Sequence, residues 1–508
     1  MIEILTSAQM RAVEMAGIDS GAATGSGLME RAGQCVVDAL LRHWSLPENP
    51  AQNALILCGP GNNGGDGFVV ARLLAAQGWQ VLVCLHGDAD KSPADARNNH
   101  ARWAHMGPVH DLSQDILSAL PPDMFLIDAL FGTGLTRPVT GSLATLLQKM
   151  CHIPWRGRVA VDAPSGLCMD SGRVLGTVLP ADLTVSFHRA KPGHYLAQGP
   201  ECCGAITVAD IGLTGDAPHP PRTGLLDHHS TSDVARKTGG HKYTHGHALV
   251  LSGSVGKGGA ARLAARAALR MGAGVVTLGC PPAALQENAC RLDAIMLQPI
   301  RDSGALATAL QDTRLNTICI GPGLGLSTRE AGLIMTALDP GRASVLDADA
   351  LTLLAQTPAG LDALGPDCVL TPHAGEFARL FPDLAQNLRR EPERGPAYSK
   401  LDATREAAHR AGCVVLFKGP DTVIAAPDGR CAINSAQYDR AAPWLATAGS
   451  GDVLAGMITG LLARGFPPFD AACAAAWLHV AAARRFGPGL IAEDLPDMLP
   501  QVMQDLIV

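Results

Sequence analysis

Short apolar runs alternate with helical patterns through the first 215 residues of the chain. Such runs between turn signals are typical of strands that are buried on both faces of a sheet. Phe68–Gln77 has instead the spacing of a helix. The predicted strands are Asn53–Cys58, Val81–Leu85, Met124–Ala129, Val159–Val161 and Leu183–Ser186. Strands and helices that take turns along a chain predict a parallel sheet with helices on both faces.

The alternation restarts after Thr214–Gly224, a segment that is rich in proline and glycine and has no apolar period. Such a composition predicts a linker. Beyond it, Ala260–Met271 predicts a helix, and the alanine-rich stretch Val453–Phe486 predicts two packed helices. Further strands are predicted at His247–Leu251, Val275–Leu278, Thr317–Ile320, Ser344–Leu346, Val369–Leu370 and Val414–Phe417.

These elements predict two α/β domains of similar size, at residues 1–215 and 231–508, joined by a linker at residues 216–230. Each domain is expected to contain its own sheet, and no internal repeat relates the two halves. The charged segment Gln386–Pro396 is most simply a solvated loop within the second domain.

Composition narrows the class of protein. The chain has 508 residues, of which 47% are hydrophobic and 17% charged, and this is enough apolar material for folded cores. A net charge of −7 and only 4% aromatic residues argue against a nucleic-acid-binding surface. No segment is typical of a signal peptide or a membrane span, and the 14 cysteines contain no CxxC pair, so we expect a cytoplasmic protein with free thiols.

A cluster of glycines follows the first predicted strand, in the sequence Gly-Pro-Gly-Asn-Asn-Gly-Gly-Asp-Gly at residues 59–67. Glycine lets backbone N–H groups approach a diphosphate at the start of a helix, which favours a nucleotide-binding turn. A tight turn without a ligand stays open as an alternative. A dehydrogenase turn also stays open, although the second strand ends Cys84-Leu85-His86 without the acidic residue that such folds use.

Polar residues follow the later strands of the same half. Asp128 ends one predicted strand, and Asp162 and Ser165 follow the next one. Because the carboxyl ends of parallel strands line one crevice, these side chains are expected to converge there with Asn63 and Asp66. Several oxygen ligands with few carboxylates suit a hard cation of low charge.

Four ordered blocks of the first half resemble the NAD(P)H-hydrate epimerase family. They are Asn62–Asp66, Asp128 with Gly132–Pro138, Val161–Gly166 and Lys191–Gly193. The resemblance implies a Rossmann-like, three-layer α/β/α domain that interconverts the R and S forms of hydrated NADH and NADPH, called NADHX and NADPHX. It assigns binding of the hydrate to Asn62, Asn63, Gly64, Gly65, Asp66, Gly132, Thr133, Gly134, Leu135, Thr136, Arg137, Pro138 and Asp162.

The same resemblance assigns a potassium ion to Asn63, Asp128 and Ser165. Asp162 is the expected acid/base, since epimerising a hemiaminal carbon requires proton transfer at its hydroxyl or at the ring nitrogen. A purely structural role for Asp162, as a cap of the turn that follows it, stays open.

The second half contains a phosphate-binding pattern, Gly449-Ser-Gly-Asp452, at the start of an alanine-rich helix. Glycines there expose N–H groups to a phosphate, and the adjacent Asp452 can take a proton from an attacking hydroxyl. A helix cap is the alternative role for Asp452. Lys418–Val423 follows a strand and could hold a nucleotide, and Gly321–Gly325 and His373 also stand at strand ends.

These blocks, with His241-Lys242, Gly246-His247 and Gly259–Gly274, resemble the ADP- or ATP-dependent NAD(P)H-hydrate dehydratase family of the ribokinase-like superfamily. The resemblance implies a three-layer ribokinase-like domain that dehydrates the S hydrate with Mg²⁺ and ADP as cosubstrate, releasing AMP and phosphate. It assigns the hydrate to Ala260, Gly323, His373 and Asp452. It assigns the nucleotide to Lys418, Gly419, Pro420, Asp421, Thr422 and Gly451.

One segment departs from that family. Ser435–Leu445 is longer and bulkier than the short Gly-Asn-Pro-Gly-Met type of turn that is usual there, and Ala448 stands where glycine is common. We expect ADP rather than ATP, although this segment leaves the nucleotide choice open.

Together the two resemblances predict a bifunctional isomerase and lyase that repairs damaged nicotinamide cofactors. Its partners would be small molecules only, without nucleic acid or membrane, and the resemblance implies a homo-oligomer. A fused NAD-dependent oxidoreductase and small-molecule kinase is the first alternative, which the missing strand-end acid opposes. A non-catalytic nucleotide-binding scaffold is the second, which the presence of both Asp162 and Asp452 opposes.

Overall fold

A computed structural model describes residues 1–46, 52–214, 222–231, 233–237, 239–338, 342–357 and 360–507. The chain divides into two compact units. The first unit contains Glu3–Arg222 and Glu391–Ser399, and the second contains Met1–Ile2, Thr223–Arg390 and Lys400–Val508. Residues 215–221, where the predicted linker begins, lie outside the described residues.

Strands and helices alternate along the chain in both units, as the apolar pattern predicts. The strands are β1 (Ile2–Ile4), β2 (Asn53–Cys58), β3 (Gln80–Leu85), β4 (Val109–Asp111), β5 (Met124–Ala129), β6 (Gly157–Val161), β7 (Leu183–Phe187), β8 (Ala205–Ala209), β9 (Thr223–Leu225), β10 (His247–Leu251), β11 (Val275–Cys280), β12 (Met296–Pro299), β13 (Leu315–Ile320), β14 (Ala343–Leu346), β15 (Cys368–Leu370), β16 (Val414–Phe417), β17 (Asp421–Ala425) and β18 (Cys431–Ser435).

The helices connect the strands and cover both faces of each sheet. They are α1 (Ser7–Asp19), α2 (Gly25–His43), α3 (Asn62–Ala76), α4 (Ala94–Ala104), α5 (Gly141–Cys151), α6 (Gly199–Cys203), α7 (Gly259–Arg270), α8 (Leu285–Ala289), α9 (Ser303–Ala309), α10 (Thr328–Ala337), α11 (Asp349–Gln356), α12 (Ala374–Leu380), α13 (Pro382–Arg389), α14 (Lys400–Ala411), α15 (Ser450–Ala463), α16 (Pro468–Phe486) and α17 (Leu495–Gln504).

The sheet of the first unit is parallel throughout, in the order β4-β3-β2-β5-β6-β7-β8. Alternate residues of β2 enter different cores: Ile56 packs with the α2 side, and Leu55 and Leu57 pack with the α5 side. All three are fully buried. Each such side chain contributes about 1.5–3 kcal/mol by leaving water, so burial on both faces explains the nearly continuous apolar run.

The second unit has a mixed sheet, in which β9-β18-β17-β16-β15-β14-β13-β10-β11-β12 are neighbours in that order. The strands from β10 to β16 are parallel, whereas β17 is antiparallel to both of its neighbours. The predicted α/β class is confirmed, since each unit contains a largely parallel sheet with helices packed on it.

Two local predictions need correction. The helix predicted at Phe68–Gln77 begins earlier, at Asn62, because the polar part of the glycine cluster is itself the first turn of α3. A Cβ at position 64 would lie 1.9 Å from the carbonyl oxygen of Gly59, so only glycine allows this close return of the chain. The segment Gln386–Pro396 is not simply a solvated loop, because its first residues end α13 and Gly395 is buried.

The alanine-rich stretch Val453–Phe486 forms two helices, α15 and α16, as predicted. Thr6 caps α1 in a full capping box with Gln9. All 14 cysteines are free thiols, and 11 of them are buried. Among the described residues, no helix combines the length and the apolar character that a membrane crossing requires.

Two candidate active sites

The first site is a cavity of about 890 Å³ at the carboxyl ends of β2, β5 and β6. This volume falls in the range of small-molecule sites. The start of α3 forms one wall, and residues 132–138, which connect β5 to α5, form another. Of the residues assigned to the hydrate, all but Gly64 and Gly65 line the cavity. Those two glycines pack behind it, against Gly59 and Met29.

Asp162 follows β6 and is held by a buried lysine. The Nζ of Lys191 donates to Asp162 Oδ1 at 3.3 Å, to Ser186 Oγ at 2.8 Å and to the Phe187 carbonyl at 3.1 Å. The side chain of Lys191 is 1% exposed. The amide of Thr133 donates to the other carboxylate oxygen at 3.0 Å. Asp162 therefore touches both a cation and the turn that is assigned to the hydrate.

These contacts decide the ionisation of Asp162. Burial alone would raise its pKa, but the Lys191 ammonium and the Thr133 N–H outweigh burial and hold the pKa below the ordinary value. Asp162 also has a φ of +64°, which is strained for a residue with a Cβ. An ionised carboxylate is thus kept in a strained backbone position at the cavity wall, where backbone strain often accompanies function.

Two further carboxyl groups in this cavity have raised rather than lowered pKa values. Burial raises the pKa of Asp66 well above its ordinary value, and the charges of Asp162 and Glu14 raise it further. Burial and the Asp162 charge likewise raise the pKa of Glu14, which projects from α1. Neighbouring carboxyl groups with pKa values pushed apart can divide the roles of acid and base between them.

The residues assigned to potassium bring together neutral and anionic oxygens. Asp128 accepts from the Ser165 amide at 2.8 Å and from the Ser165 hydroxyl at 2.7 Å. The carbonyl of Phe131 lies 3.5 Å from the same hydroxyl. Asn63 Oδ1 faces Gly132, and the buried Asn63 Nδ2 has no hydrogen-bond partner in the described part of the chain.

Asp128 is buried without a cation beside it. Burial raises its pKa to about 6, and the hydrogen bonds from Ser165 and Leu130 only partly oppose this. Within the described ranges no lysine or arginine forms an ion pair with Asp128. One uncompensated carboxylate among neutral oxygens fits a monovalent cation, which would remove the cost of the buried charge.

The second site is a cavity of about 390 Å³ that contains the start of α15. Gly449 precedes the helix with a left-handed φ of +90°, which glycine adopts without strain. This turn brings Ser450, Gly451 and Asp452 into the cavity wall. The first turn of α15 therefore lies at the cavity wall, where the N–H groups of a helix start favour a phosphate.

The pKa of Asp452 lies near neutral pH. Burial raises its pKa to about 7, with Asp347 adding to the rise, while Lys418 opposes it. Lys418 Nζ lies 2.7 Å from Asp347 Oδ1 and 3.8 Å from Glu376 Oε2. Burial would lower the pKa of Lys418, but these carboxylates raise it above the ordinary value, so the ammonium stays charged. A Cβ at position 451 would lie 3.3 Å from that ammonium.

His373 lines the cavity but also has a structural role. Its Nδ1 accepts from the Gly375 amide at 2.9 Å, and its own amide donates to Glu376 Oε2 at 2.8 Å, so it caps α12. Its Nε2 lies 3.4 Å from Glu376 Oε1, and its side chain is 56% exposed. The exposed ring leaves one face free for a ligand.

Comparisons with known proteins identify the family of this chain. The family described as NAD(P)H-hydrate dehydratase matches residues 248–504, and the family described as YjeF-related protein N-terminus matches residues 25–193. The bifunctional NAD(P)H-hydrate repair enzyme of Moorella thermoacetica is 37% identical, over 94% of this chain and 92% of its own length. That of Salinibacter ruber is 34% identical, over 98% and 96%. The chain belongs to the bifunctional NAD(P)H-hydrate repair enzyme family.

A solved structure covers the dehydratase part of this family. The ADP/ATP-dependent NAD(P)H-hydrate dehydratase of Bacillus subtilis, co-crystallised with ATP/Mg²⁺, is 30% identical. It covers 56% of this chain and 98% of its own, with a TM-score of 0.48.

In this member of the repair-enzyme family, five predicted dehydratase residues lie outside the cavity that contains Asp452. Gly323 and Ala260 are neighbours of each other, since a Cβ at position 323 would lie 3.3 Å from the Ala260 Cβ. Asp421 forms an ion pair with Lys400 at 2.6 Å. The Thr422 hydroxyl donates to the Gly419 carbonyl at 2.7 Å and so shapes the turn. The five are Ala260, Gly323, Pro420, Asp421 and Thr422.

The structure also brings in residues that the sequence patterns do not single out for a role. Glu14 lies far along the chain from the glycine clusters and carries no local signal. Lys191 belongs to a family motif, but its position in the sequence indicates no role. Asp347, by contrast, directly follows the buried strand β14. The strand-end rule that selects Asp128 and Asp162 could have selected Asp347 as well.

Proposed function

We propose that this protein repairs hydrated nicotinamide cofactors in two steps. The first unit interconverts the R and S forms of NADHX and NADPHX, and the second dehydrates the S form to NADH or NADPH with ADP as cosubstrate. The observation that carries the proposal is that each site contains a carboxylate whose pKa suits proton transfer. Asp162 is held ionised by Lys191, and Asp452 has a pKa of about 7 beside a phosphate-binding helix start.

In the first site, epimerisation requires the hydroxyl-bearing carbon to lose and regain its configuration. The ionised Asp162 accepts the proton of the hydroxyl while the bond between the hydroxyl-bearing carbon and the ring nitrogen breaks. Asp66 or Glu14, whose raised pKa values favour the protonated form, donates a proton to that nitrogen. The nitrogen then attacks the other face of the resulting aldehyde carbon, both protons return, and the other epimer is formed. Lys191 does not need to contact the hydrate, because its effect is to keep Asp162 ionised.

Asn63, Asp128 and Ser165 would hold a potassium ion in this site. When bound, the ion supplies positive charge next to the buried Asp128 carboxylate and close to the substrate turn. The protein residues fix the turn themselves, since the Phe131 amide donates to Ser165 Oγ at 3.0 Å.

Asp128→Asn is expected to weaken the potassium dependence of epimerisation. An amide carries no charge, so the cation loses the one anionic ligand of the site. The measurement is the rate of epimer exchange against KCl concentration, with choline chloride holding the ionic strength constant. Asp182→Asn, at a surface carboxylate paired with Arg158, is the matched control. A potassium response equal to that of the unsubstituted enzyme would remove Asp128 from the ion site.

In the second site, the hydroxyl of the S hydrate attacks the terminal phosphorus of ADP, and Asp452 accepts its proton. The bond between that phosphorus and the oxygen bridging to AMP breaks, so AMP leaves. The phosphorylated hydroxyl is now a good leaving group. The lone pair of the ring nitrogen expels it as inorganic phosphate, and loss of the remaining proton restores the dihydronicotinamide.

Magnesium would enter this site with the nucleotide. Over the described part of the chain, no group of three or more His, Cys, Asp or Glu side chains is arranged to hold a metal by itself. Mg²⁺ usually binds substrate phosphates together with one or two carboxylates, and Asp347, which lines the cavity, would provide one. When bound, it neutralises charge on the transferred phosphoryl group. Lys418 and the N–H group of Gly451 orient the same phosphate from the protein side.

The rate of dehydration should rise with pH through about 7. Asp452 accepts a proton only when ionised, and its pKa is about 7, so kcat/KM falls about tenfold per unit below that value and levels off above it. The check is a pH profile with the S hydrate and ADP. Asp347→Asn should move the midpoint to lower pH, because the Asp347 charge contributes to the raised pKa. A flat profile between pH 5.5 and 8.5 would contradict the role of Asp452.

A single assay tests the whole function. Purified protein is incubated with a mixture of R and S NADHX, ADP, KCl and MgCl₂, and the absorbance of NADH is followed. Full recovery of both epimers is expected. No recovery would refute the repair function, and recovery of the S form alone would show that the first unit is inactive.

The free thiols indicate the kind of compartment in which the protein works. Free thiols throughout the chain are consistent with a reducing compartment, and we propose the cytoplasm. Assembly as a homo-oligomer and a preference for ADP over ATP are proposed from the resemblance to the two families.

A further inference from the structure

A second cavity of the second unit, about 750 Å³ in volume, shares no residue with the cavity that contains Asp452. It lies between α16, the end of α17 and the turn at residues 438–440. Its charged lining is almost entirely basic, because Asp505 is the one carboxylate among the described residues that form it. The basic residues are His228, His229, Arg236, Arg440, Arg484 and Arg485.

Arg440 is fixed in this wall without a carboxylate. Its guanidinium donates to Asn434 Oδ1 at 3.3 Å and to the Trp477 carbonyl at 3.2 Å. It lies over the Trp477 ring, 4.9 Å from the ring centre. Burial lowers the pKa of Arg440 to about 10, and the charge of Arg484 adds to the effect. The fold thus holds a half-buried guanidinium where its charge is disfavoured.

The charges of Asp439 and Asp227 oppose this lowering of the Arg440 pKa only in part. Arg485 pairs with Asp505 at 3.5 Å, and Arg236 pairs with Asp233 at 4.0 Å. Arg440 and Arg484 form no ion pair with the described residues. Like charges held together cost stability, and natural proteins keep such costs mainly at functional sites.

The shape and charge of this cavity select a class of ligand. Guanidinium groups match the paired oxygens of phosphate, and they do so better than an ammonium because their N–H groups form a planar fork. A volume of about 750 Å³ suits a small molecule rather than a peptide or a nucleic acid strand. Two guanidiniums that form no ion pair with the described residues favour a ligand with about two negative charges, and the Trp477 ring adds an apolar wall.

We propose that this cavity is a second anion site, which binds a small molecule through a diphosphate group. Arg440 and Arg484 contact the diphosphate oxygens, and the two histidines flank the entrance. Arg440 belongs to Ser435–Leu445, the segment that departs from the dehydratase family pattern. The proposed site shares no lining residue with the cavity that contains Asp452, so it is independent of the proposed repair reaction.

Calorimetric titration with inorganic pyrophosphate tests the proposal on the full chain. Binding is expected in the unsubstituted protein, with a Kd at least tenfold higher in the double variant Arg440→Gln/Arg484→Gln. Arg266→Gln/Arg270→Gln is the matched control, since both arginines lie on α7 and pair with Asp497 outside the cavity. The control should bind like the unsubstituted protein. An unchanged Kd in the first double variant would overturn the proposal.

Two further arms distinguish binding in this cavity from binding at the nucleotide site and from charge screening. Lys418→Met removes the ammonium of the dehydratase cavity, so the binding event must persist in that variant, and its loss would assign pyrophosphate to the nucleotide site. Sodium sulfate at equal ionic strength must bind at least tenfold more weakly, and equal affinity would indicate unspecific charge screening. If the double variant fails to fold, the single variant Arg484→Gln replaces it, because Arg484 is exposed and its exchange should not disturb folding. An unchanged Kd in this single variant would also overturn the proposal.

Discussion

Asp452→Asn is expected to abolish dehydration of the S hydrate, by a factor of about 10³ in kcat, while epimerisation continues at its ordinary rate. The amide has almost the shape of the carboxylate but cannot accept the proton of the attacking hydroxyl. Without that transfer the hydroxyl is a poor nucleophile towards the terminal phosphate of ADP. The measurement is the return of NADH absorbance from purified S hydrate with ADP, beside chromatographic analysis of epimer exchange.

The control for this variant is Asp470→Asn, which makes the same exchange at an exposed aspartate in the first turn of α16. It should leave both activities unchanged. If Asp452→Asn removed both activities, the division of labour between two independent sites would be refuted. If dehydration continued at more than a tenth of its rate, another group would be the proton acceptor.

Asp162→Asn should abolish epimerisation and leave dehydration of purified S hydrate intact. The loss has two physical causes. The amide is no base, and the change leaves the fully buried Lys191 ammonium without its anionic partner. Breaking a buried pair in this way costs about 3–5 kcal/mol of folding free energy. The melting temperature of the first unit should therefore fall together with the epimerase rate.

A second variant separates chemistry from stability. In Asp162→Asn/Lys191→Met both charges are removed, so the melting temperature should recover most of the loss. Epimerisation should stay absent, because the base is still missing. Recovery of epimerisation in the double variant would show that Asp162 has only a structural role.

Much of this arrangement follows from simple rules applied to the sequence. Buried apolar runs identify the strands, and the polar residues that directly follow them lie at one edge of each sheet. Asn63, Asp128, Asp162 and Ser165 are expected to converge for this reason. Asn63 and Asp162 both lie against Gly132, and Ser165 forms hydrogen bonds with Asp128 and Phe131. The glycine before α15 is likewise recognisable, since a left-handed residue there needs glycine.

Other features could not be predicted in this way. Glu14 reaches the cavity from α1, and only the packed fold brings it to Asp66 and Asp162. The role of Lys191 depends on complete burial, which the sequence does not reveal for a lysine. Ser435–Leu445 is recognisable as unusual, but the stacking of Arg440 on Trp477 depends on α16, more than 30 residues later in the chain.

The buried cysteines have a practical consequence for redox chemistry. Oxidants and alkylating reagents attack the thiolate, and burial raises the pKa of Cys58, Cys413 and Cys473 well above the ordinary value. These thiols therefore stay protonated and out of reach of peroxide. All 14 cysteines lie within the described residues, and of these Cys290 alone is exposed. A maleimide dye should attach there first, which gives the protein a single-site fluorescent label without replacing any native cysteine.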